Sequence, residues 1–196
     1  MSNFSYIYNN DPEFLTTPGK VIDIKNTKEN VEGSACYWKH FAFLKNKSQC
    51  STFIETGTYH GDGILSAFGV GFEKIHSIEI LQENYDISYN RWKHKSNVKL
   101  HFGPTSEKLG EVLAEIDTPS FFWLDAHIDN SGPTYKELEI INNHHIKNHT
   151  ILIDDISIYF NKKHIETTIK DINPNYTIFY EASWRGVQEI LVAKVF

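Results

Sequence analysis

The sequence predicts an α/β protein built on one doubly wound, Rossmann-like sheet of seven strands, mostly parallel with a C-terminal antiparallel hairpin. From residue 51 onward, short apolar runs alternate with segments whose apolar residues recur at helical spacing, the pattern of parallel strands joined by helical crossovers. Only SWRGV separates the last two strand candidates. Because so short a connection cannot make a right-handed crossover, these two strands are expected to pair antiparallel at the edge of the sheet.

The first fifty residues differ in character from the rest of the chain. They are polar and rich in asparagine, apart from one predicted helix around SACYWKHFAFL, with Tyr37, Phe41 and Leu44 on one face. We expect residues 1–50 to form a helical or irregular cap and residues 51–196 to form the sheet domain, with one domain overall. The helix is expected to pack on the sheet; closure over the site as a lid, or onto a second subunit in a homodimer, are the alternatives.

The strand candidates are apolar runs bounded by polar or turn residues. In chain order they are residues 51–55, 74–80, 97–102, 120–125, 150–154, 176–181 and 188–196. Helices are predicted from the apolar spacing after the second, third and fifth strands, through Leu81, Tyr85, Tyr89 and Trp92, through Leu109, Val112, Leu113 and Ile116, and over HIETTIKDI. Another helix is expected to begin near Ile64, after a glycine-rich turn.

Composition limits the classes of function. A hydrophobic fraction of 40% is typical of a folded domain, and the formal net charge of −6 argues against a surface that neutralises nucleic-acid phosphates. No apolar stretch approaches the roughly 18 residues of a membrane span, and the stretch MSNFSYIYNNDPEF has neither the basic nor the apolar region expected of a signal peptide. We therefore expect a soluble, cytoplasmic protein that binds neither membrane nor nucleic acid. Its two cysteines, Cys36 and Cys50, are expected to be reduced and structural.

The end of the first strand predicts a small-molecule site. The strand runs into FIETGTYHGDG, where Gly57, Gly61 and Gly63 permit close approach of the backbone to a ligand at the carboxyl edge of a parallel sheet. Their spacing is not the GxGxxG of dinucleotide-binding enzymes. Glu55 at the strand end suits a ligand with a cationic centre and an ammonium group, and S-adenosylmethionine carries both.

Two further strand ends add to this site. The second strand ends in Glu79, where a carboxylate can accept both hydroxyls of a ribose; an exposed charge at the start of the next helix is the alternative. The third is followed by Thr105 and Ser106 at a helix start, which could hydrogen-bond an adenine edge or cap the helix. Both interpretations stay open.

ETGTYHGDG followed by HSIEI resembles the first two motifs of class I S-adenosylmethionine-dependent methyltransferases, with a spacing similar to that of catechol O-methyltransferase. The resemblance covers roughly residues 51–196. It implies that the methionine end of the cofactor is held by the first acid and the glycines and covered by the aromatic residue of the turn, while the second acid holds the ribose. These positions are Glu55, Gly57, Tyr59, Gly61 and Glu79, with Ile80 beside the adenine.

Three carboxylates are expected to converge at the ends of the fourth and fifth strands. Strand four ends in WLDAHID and strand five in ILIDDIS, which brings Asp125, Asp154 and Asp155 to one edge. Like charges so close repel, and a divalent cation with oxygen ligands, Mg²⁺ or else Mn²⁺ or Ca²⁺, would resolve this. The alternative is structural, with Asp154 bonded to backbone amides and Asp155 in a turn. The triple is similar to the metal triad of metal-dependent O-methyltransferases, and nearer the macrocin type, which methylates sugars.

His127 follows the first of these aspartates by two residues and is the candidate general base, with metal ligation as its alternative. Together the residues predict an S-adenosylmethionine- and metal-dependent O-methyltransferase in which the metal and His127 activate an acceptor hydroxyl. The resemblance favours a sugar hydroxyl of a glycan or glycosylated metabolite, and a small phenol or catechol is the narrower alternative. A nucleotide-dependent oxidoreductase and a non-catalytic adenosine-binding module are the rival classes.

Overall fold

The computed structural model describes residues 35–127, 132–182 and 188–196, so most of the predicted cap and the predicted hairpin loop lie outside the described residues. Seven strands form one sheet in the order β3-β2-β1-β4-β5-β7-β6. The strands are β1 (Thr52–Thr56), β2 (Lys74–Glu79), β3 (Val98–Phe102), β4 (Phe121–Leu124), β5 (Thr150–Ile153), β6 (Thr177–Ala182) and β7 (Gln188–Lys194). The helices are α1 (Ala35–Asn46), α2 (Asp62–Val70), α3 (Gln82–Trp92), α4 (Thr105–Leu113), α5 (Thr134–Asn143), α6 (Ile156–Tyr159) and α7 (Lys162–Ile172).

The strand directions confirm the predicted fold class. Strands β1 to β5 pair in parallel, whereas β7 runs antiparallel to both β5 and β6. The strand order reverses at β1, which lies between β2 and β4. In sheets of this kind a ligand binds beyond the carboxyl ends of the strands at such a reversal, and this position sets where the site forms.

Side chains of the central strands alternate between two apolar layers, as period-two strands require. Phe53 and Phe121 face the layer that contains α1, α2 and α3, while Ile54 and Phe122 face the layer that contains α4, α5 and α7. Because both faces are covered, each of the short strands β1, β4 and β5 is buried along its whole length. Burial on both sides explains why these strands appear in the sequence as continuous apolar runs.

Helix α1 packs against the sheet through Phe43, whose ring lies 5.0 Å from that of Phe53 and 5.1 Å from that of Trp123 between centroids. Leu44 was predicted for this contact face, but its side chain is 49% exposed, whereas the neighbouring Phe43 is fully buried. The side chains of Tyr37 and Phe41 lie outside the described residues. Among the residues described, no helix combines the length and the apolar character that crossing a bilayer requires.

Two helices were not predicted, α5 between β4 and β5, and the single turn α6 after β5. The sequence signal for α5 was present, since Leu138 and Ile141 are buried at helical spacing on one face. Strand β4 is also shorter than predicted and ends at Leu124. Asp125 is therefore the first residue beyond the strand, where its side chain reaches the cleft at the carboxyl edge of the sheet.

Candidate active site

A cleft of about 820 Å³ opens at the carboxyl ends of β1, β2 and β4, at the strand-order reversal. Its volume lies within the roughly 300–1,000 Å³ typical of small-molecule sites. Besides His127, seven of the residues predicted for the site line this cleft: Gly57, Tyr59, Glu79, Ile80, Thr105, Ser106 and Asp125. Lys39 lines it as well. Glu55 in β1, Gly61 at the N-cap of α2 and Gly63 in the first turn of α2 are not among the lining residues.

Gly57 allows the turn after β1 to approach the loop after β4. Its φ is +82°, and a Cβ at this position would lie 2.6 Å from the carbonyl oxygen of Asp125 and 2.9 Å from the Cα of Ala126. Its amide donates to the carbonyl oxygen of Ile78 at 3.0 Å. Any side chain here would push the two loops apart, so the glycine sets the width of the cleft at the strand-order reversal.

Glu55 is fully enclosed beneath the glycine turn. Its Oε2 accepts a hydrogen bond of 2.6 Å from the Ser77 hydroxyl, and a Cβ on Gly63 would lie 1.6 Å from its Oε1. Gly63 is therefore required for this carboxyl group to fit against the start of α2. Burial raises the pKa of Glu55 to about 8, although the charge of Lys39 opposes the shift. Direct contact of Glu55 with a cofactor stays a prediction.

Glu79 lies at the end of β2 with its carboxylate in the cleft. Oε2 accepts a hydrogen bond from the amide of Tyr59, and Oε1 accepts one from the amide of Leu81, both at 2.8 Å. The side chain is thus held by the turns that follow β1 and β2. Because each carboxylate oxygen has two acceptor sites, both oxygens can also accept a ligand hydroxyl.

Thr105 and Ser106 lie at the start of α4, and both line the cleft. The capping residue of this helix is Pro104, and no side chain makes a capping hydrogen bond there. Helix capping therefore does not account for either hydroxyl. A hydrogen bond to an adenine edge remains the prediction for this pair, with Ile80, 41% exposed, beside it in the same cleft.

At the other end of the cleft, the carboxylate of Asp125 is contacted by three nitrogen donors. Its Oδ2 accepts from the Lys39 ammonium at 2.8 Å and from the Trp123 indole at 3.1 Å. Its Oδ1 lies 3.1 Å from His127 Nε2. Burial raises the pKa of Asp125, but the Lys39 charge and the His127 hydrogen bond outweigh burial, and the pKa is held below its ordinary value.

His127 bridges two of the predicted carboxylates. Its Nε2 is 3.5 Å from Asp155 Oδ2, in addition to the contact with Asp125. Burial lowers the pKa of His127, yet the hydrogen bond with Asp125 and the charges of both aspartates raise it above the ordinary value overall. The ring also stacks on Tyr159 at 4.6 Å between centroids. Both aspartates therefore favour the protonated ring, whereas only a neutral ring could accept a proton from an acceptor hydroxyl.

The third predicted carboxylate takes a different position. Asp154 is 6% exposed, and its Oδ1 accepts from the amide of Asp155 at 2.8 Å. Burial raises its pKa to about 8, and the charge of Asp125 adds to that rise. Asp155 has a φ of +52° ahead of α6, and this turn sends its side chain toward His127. Both features match the structural alternative considered for this pair, although Asp155 also reaches the cluster.

The donor set can be compared with what a divalent cation needs. Ligand atoms of Asp125, His127 and Asp155 lie within 4.8 Å of one another, and Asp154 is not part of this set. Two carboxylates and one imidazole are an acceptable set for a hard or borderline divalent ion, with waters at the remaining positions. The residues present therefore fit such an ion, with His127 where Asp154 was predicted.

Two buried ionisable side chains near this site, Lys39 and Glu137, were not predicted from the sequence. Lys39 comes from α1, which was interpreted only as a packing helix. Glu137 on α5 is fully buried, and no hydrogen-bond partner within 3.5 Å is found for either carboxylate oxygen among the described residues. Burial raises its pKa to about 7, with the nearby hydroxyls of Thr105 and Thr56 opposing the shift. For Glu137 the signal was available, since it lies next to Leu138 on the buried face of an amphipathic helix.

Solved structures share this fold. The SAH-bound methyltransferase PaMTH1 of Podospora anserina aligns with a TM-score of 0.60 at 12% identity, covering 100% of this chain and 97% of that one. An O-methyltransferase from Bacillus cereus in complex with SAH gives 0.59 at 14% identity, over 98% and 94% of the two chains. The O-methyltransferase TomG from Streptomyces achromogenes, involved in tomaymycin synthesis and solved with SAM, gives 0.57 at 14%, over 97% and 92%.

These likenesses define the class of the fold, which is the seven-stranded Rossmann-like fold of the methyltransferases, and they confirm the resemblance found in the sequence at that level. No protein-family model matches the chain, and no curated protein matches its sequence.

Proposed function

We propose that the protein is an S-adenosylmethionine-dependent O-methyltransferase that uses a divalent cation, and that its acceptor is a sugar hydroxyl of a glycan or glycosylated metabolite. The observation that carries the proposal is that one cleft holds two different sets of side chains, one at each end. Glu79 lies at one end, where a ribose would bind, and Asp125 and His127 lie at the other, where an acceptor would be activated. A transferase of this kind needs both ends in one cavity, because the methyl group and the acceptor oxygen must be aligned.

At the cofactor end, Glu79 would accept hydrogen bonds from the two ribose hydroxyls, since its carboxylate is already fixed by two backbone amides. Ile80 would lie against the adenine face, with Thr105 and Ser106 at its edge. Tyr59, 61% exposed at the rim of the cleft, would cover the methionine portion. S-adenosylmethionine, when bound, would supply the methyl group on a sulfonium sulfur.

At the acceptor end, Asp125, His127 and Asp155 would hold the divalent ion. When bound, the ion would lower the pKa of a coordinated acceptor hydroxyl. Mg²⁺ was predicted from an all-carboxylate set. A set that includes an imidazole shifts the preference toward Mn²⁺, because imidazole is a softer ligand than carboxylate or water.

His127 can be a metal ligand or a general base, but not both at once, because both roles use the same ring nitrogen. As a ligand it would bind through Nε2, the nitrogen that faces both aspartates. As a base it would remove the acceptor proton through that same atom, with Asp154 rather than His127 completing the ligand set. The 4.8 Å grouping of its ligand atoms with those of both aspartates favours the ligand role.

A small phenol or catechol is the second candidate acceptor. The observation that favours it is the ring of Tyr159, stacked on His127 beside the aspartates, which offers a face to an aryl ring. Vicinal hydroxyls occur in catechols and in sugars, and either could chelate an ion. The acceptor class is therefore decided by experiment.

Incubation with methyl-labelled S-adenosylmethionine, Mn²⁺ and a panel of sugars, glycosides, phenols and catechols tests the proposal. We expect labelled methyl ethers on a sugar hydroxyl, with Asp125→Asn at least 100-fold slower and the exposed Asp117→Asn unchanged. Labelled methyl groups found only on phenols or catechols would show that the acceptor is an aryl hydroxyl and not a sugar hydroxyl. Binding of S-adenosylmethionine with no transfer to any acceptor would support an adenosine-binding module, and binding of nicotinamide cofactors instead would support an oxidoreductase.

A further inference from the structure

Lys39 places a positive charge inside the proposed metal end of the cleft. Its ammonium is 2.8 Å from Asp125 Oδ2, and its side chain is only 12% exposed. It lines the cleft together with Gly57 and His127. The acidic strand ends were expected to need an added cation; here a side chain of the protein already supplies one.

The fold holds this lysine in position through its helix. Lys39 precedes Phe43 by four residues on α1, so the two share a helix face. The Phe43 ring packs on Trp123, and the Lys39 ammonium lies 5.4 Å from the centroid of that same indole. The Trp123 indole in turn donates to Asp125 Oδ2. The Lys39 ammonium is therefore held between the Trp123 indole and the Asp125 carboxylate.

Binding of a divalent ion at Asp125 would conflict with this arrangement. Oδ2 already accepts from Lys39 and Trp123, and Oδ1 lies against His127. An ion coordinated by Asp125 and Asp155 would bring two further positive charges next to the ammonium, in a partly buried site where charges are poorly screened. Coordination thus favours withdrawal of the lysine from Asp125.

We propose that Lys39 is an internal counter-cation that occupies the acidic end of the cleft in the metal-free protein and competes with the divalent ion for Asp125. The inference rests on the proposed function, because it requires that an ion binds there. Occupation of Asp125 by the ammonium and by the ion are then alternatives, so metal loading is coupled to the position of the side chain that α1 supplies. By linkage, whatever holds Lys39 on Asp125 weakens metal binding to the same extent.

Titration of the full chain with Mn²⁺, with free Mn²⁺ measured by electron paramagnetic resonance in the absence of S-adenosylmethionine and acceptor, tests this directly. Lys39→Met removes the charge and keeps much of the side-chain volume. We expect it to bind Mn²⁺ at least tenfold more tightly than the unmodified protein, whereas Lys39→Arg stays within about threefold. The matched control is Lys45→Met on the same helix, where the lysine is 69% exposed and pairs with Glu181, and no change is expected.

Loss of Lys39 leaves a buried carboxylate without its ammonium, so Lys39→Met is expected to melt at a lower temperature and to gain more thermal stability from Mn²⁺ than the unmodified protein does. If that variant does not fold, Lys39→Gln takes its place. If the neutral variants bind Mn²⁺ no more tightly than the unmodified protein, Lys39 does not compete with the ion, although the metal site itself would stand. Failure of both the unmodified and the variant protein to bind Mn²⁺ at millimolar concentration would overturn the metal site, and the inference with it.

Discussion

At the residue scale, the site depends on how a few carboxylates are balanced. Asp125 is stabilised as an anion by an ammonium, an indole and an imidazole, whereas burial raises the pKa values of Glu55 and Asp154 to about 8 each. Asp125 is therefore held as the anion, whereas burial favours the protonated forms of Glu55 and Asp154. Position relative to Lys39, rather than residue type, separates them.

Glu79 gives the most direct residue-scale prediction for the cofactor. Glu79→Gln is expected to weaken binding of S-adenosylhomocysteine by about 10–100-fold, because a charged acceptor would be lost at the proposed ribose position and hydrogen bonds to charged groups contribute about 1.5–3 kcal/mol. Calorimetric titration measures this, with the exposed Glu83→Gln as control. Unchanged affinity in a folded Glu79→Gln protein would remove Glu79 from the site.

Glu137 predicts a pH effect on stability. Its pKa is raised to about 7 in the folded protein from an ordinary value near 4.5, so its favourable contribution is complete below pH 4.5 and is lost as the pH rises through 7. Glu137→Gln mimics the protonated form and should be more stable than the unmodified protein at pH 8, by roughly 1–3 kcal/mol, with no gain at pH 4. Urea unfolding at both pH values measures this.

The control for that prediction is Glu139→Gln, two residues along the same helix, where the carboxylate is 59% exposed and pairs with Lys136. It should leave the free energy of unfolding nearly unchanged at both pH values. A Glu137→Gln protein no more stable than the unmodified one at pH 8 would show that the buried carboxyl has a partner in solution.

At the scale of elements, the acids at the strand ends were predicted, whereas the charged side chains that the helices contribute were missed. Asp125 and Glu79 follow directly from parallel pairing, because parallel strands end at the same edge and the acid that ends each strand is visible in the sequence. Lys39 was not predictable, since it reaches Asp125 across 86 residues from a helix whose pattern indicated only packing. Asp155, and not Asp154, reaches Asp125 and His127 because the backbone of Asp155 is in the left-handed region. No sequence pattern specified this conformation.

A histidine chain connects three elements and predicts a second pH effect. The amide of Ser120 donates to His149 Nδ1, so His149 Nε2 carries the proton and donates to His144, which donates to the carbonyl oxygen of Ile116. Burial lowers the pKa of His149 to about 4, and repulsion between two protonated rings would oppose charging His149 and His144 together. Both rings are neutral in this series of hydrogen bonds. The series links the residues before β4 and β5 to the end of α5.

The free energy of unfolding contributed by His149 is complete above pH 6.5 and is lost as the pH falls toward 4, because the unfolded chain then binds a proton that the folded chain does not. His149→Gln should therefore be less stable than the unmodified protein at pH 7, and the difference should shrink by roughly 1–3 kcal/mol at pH 4.5. The exposed His94→Gln serves as control. A difference that is constant with pH would contradict the buried neutral tautomer.

At the scale of the whole molecule, the sheet was predictable because its pattern is global. Seven apolar runs and one short final connection are enough to specify a parallel sheet with an antiparallel edge. Alternation of side chains between two covered faces then fixes which residues form the core. The cleft follows from the strand-order reversal, but its charge balance comes from side chains that meet only after the layers pack.

The central claim is that methyl transfer at this cleft depends on a divalent ion held beside Asp125. The most direct measurement is the rate of methyl transfer to the best acceptor before chelation, after treatment with EDTA and desalting, and after addition of Mn²⁺ or Mg²⁺. We predict that the rate of methyl transfer falls at least 100-fold on chelation and recovers with either ion. An equal rate in the chelated protein would contradict it and leave Lys39 as the permanent cation of the site.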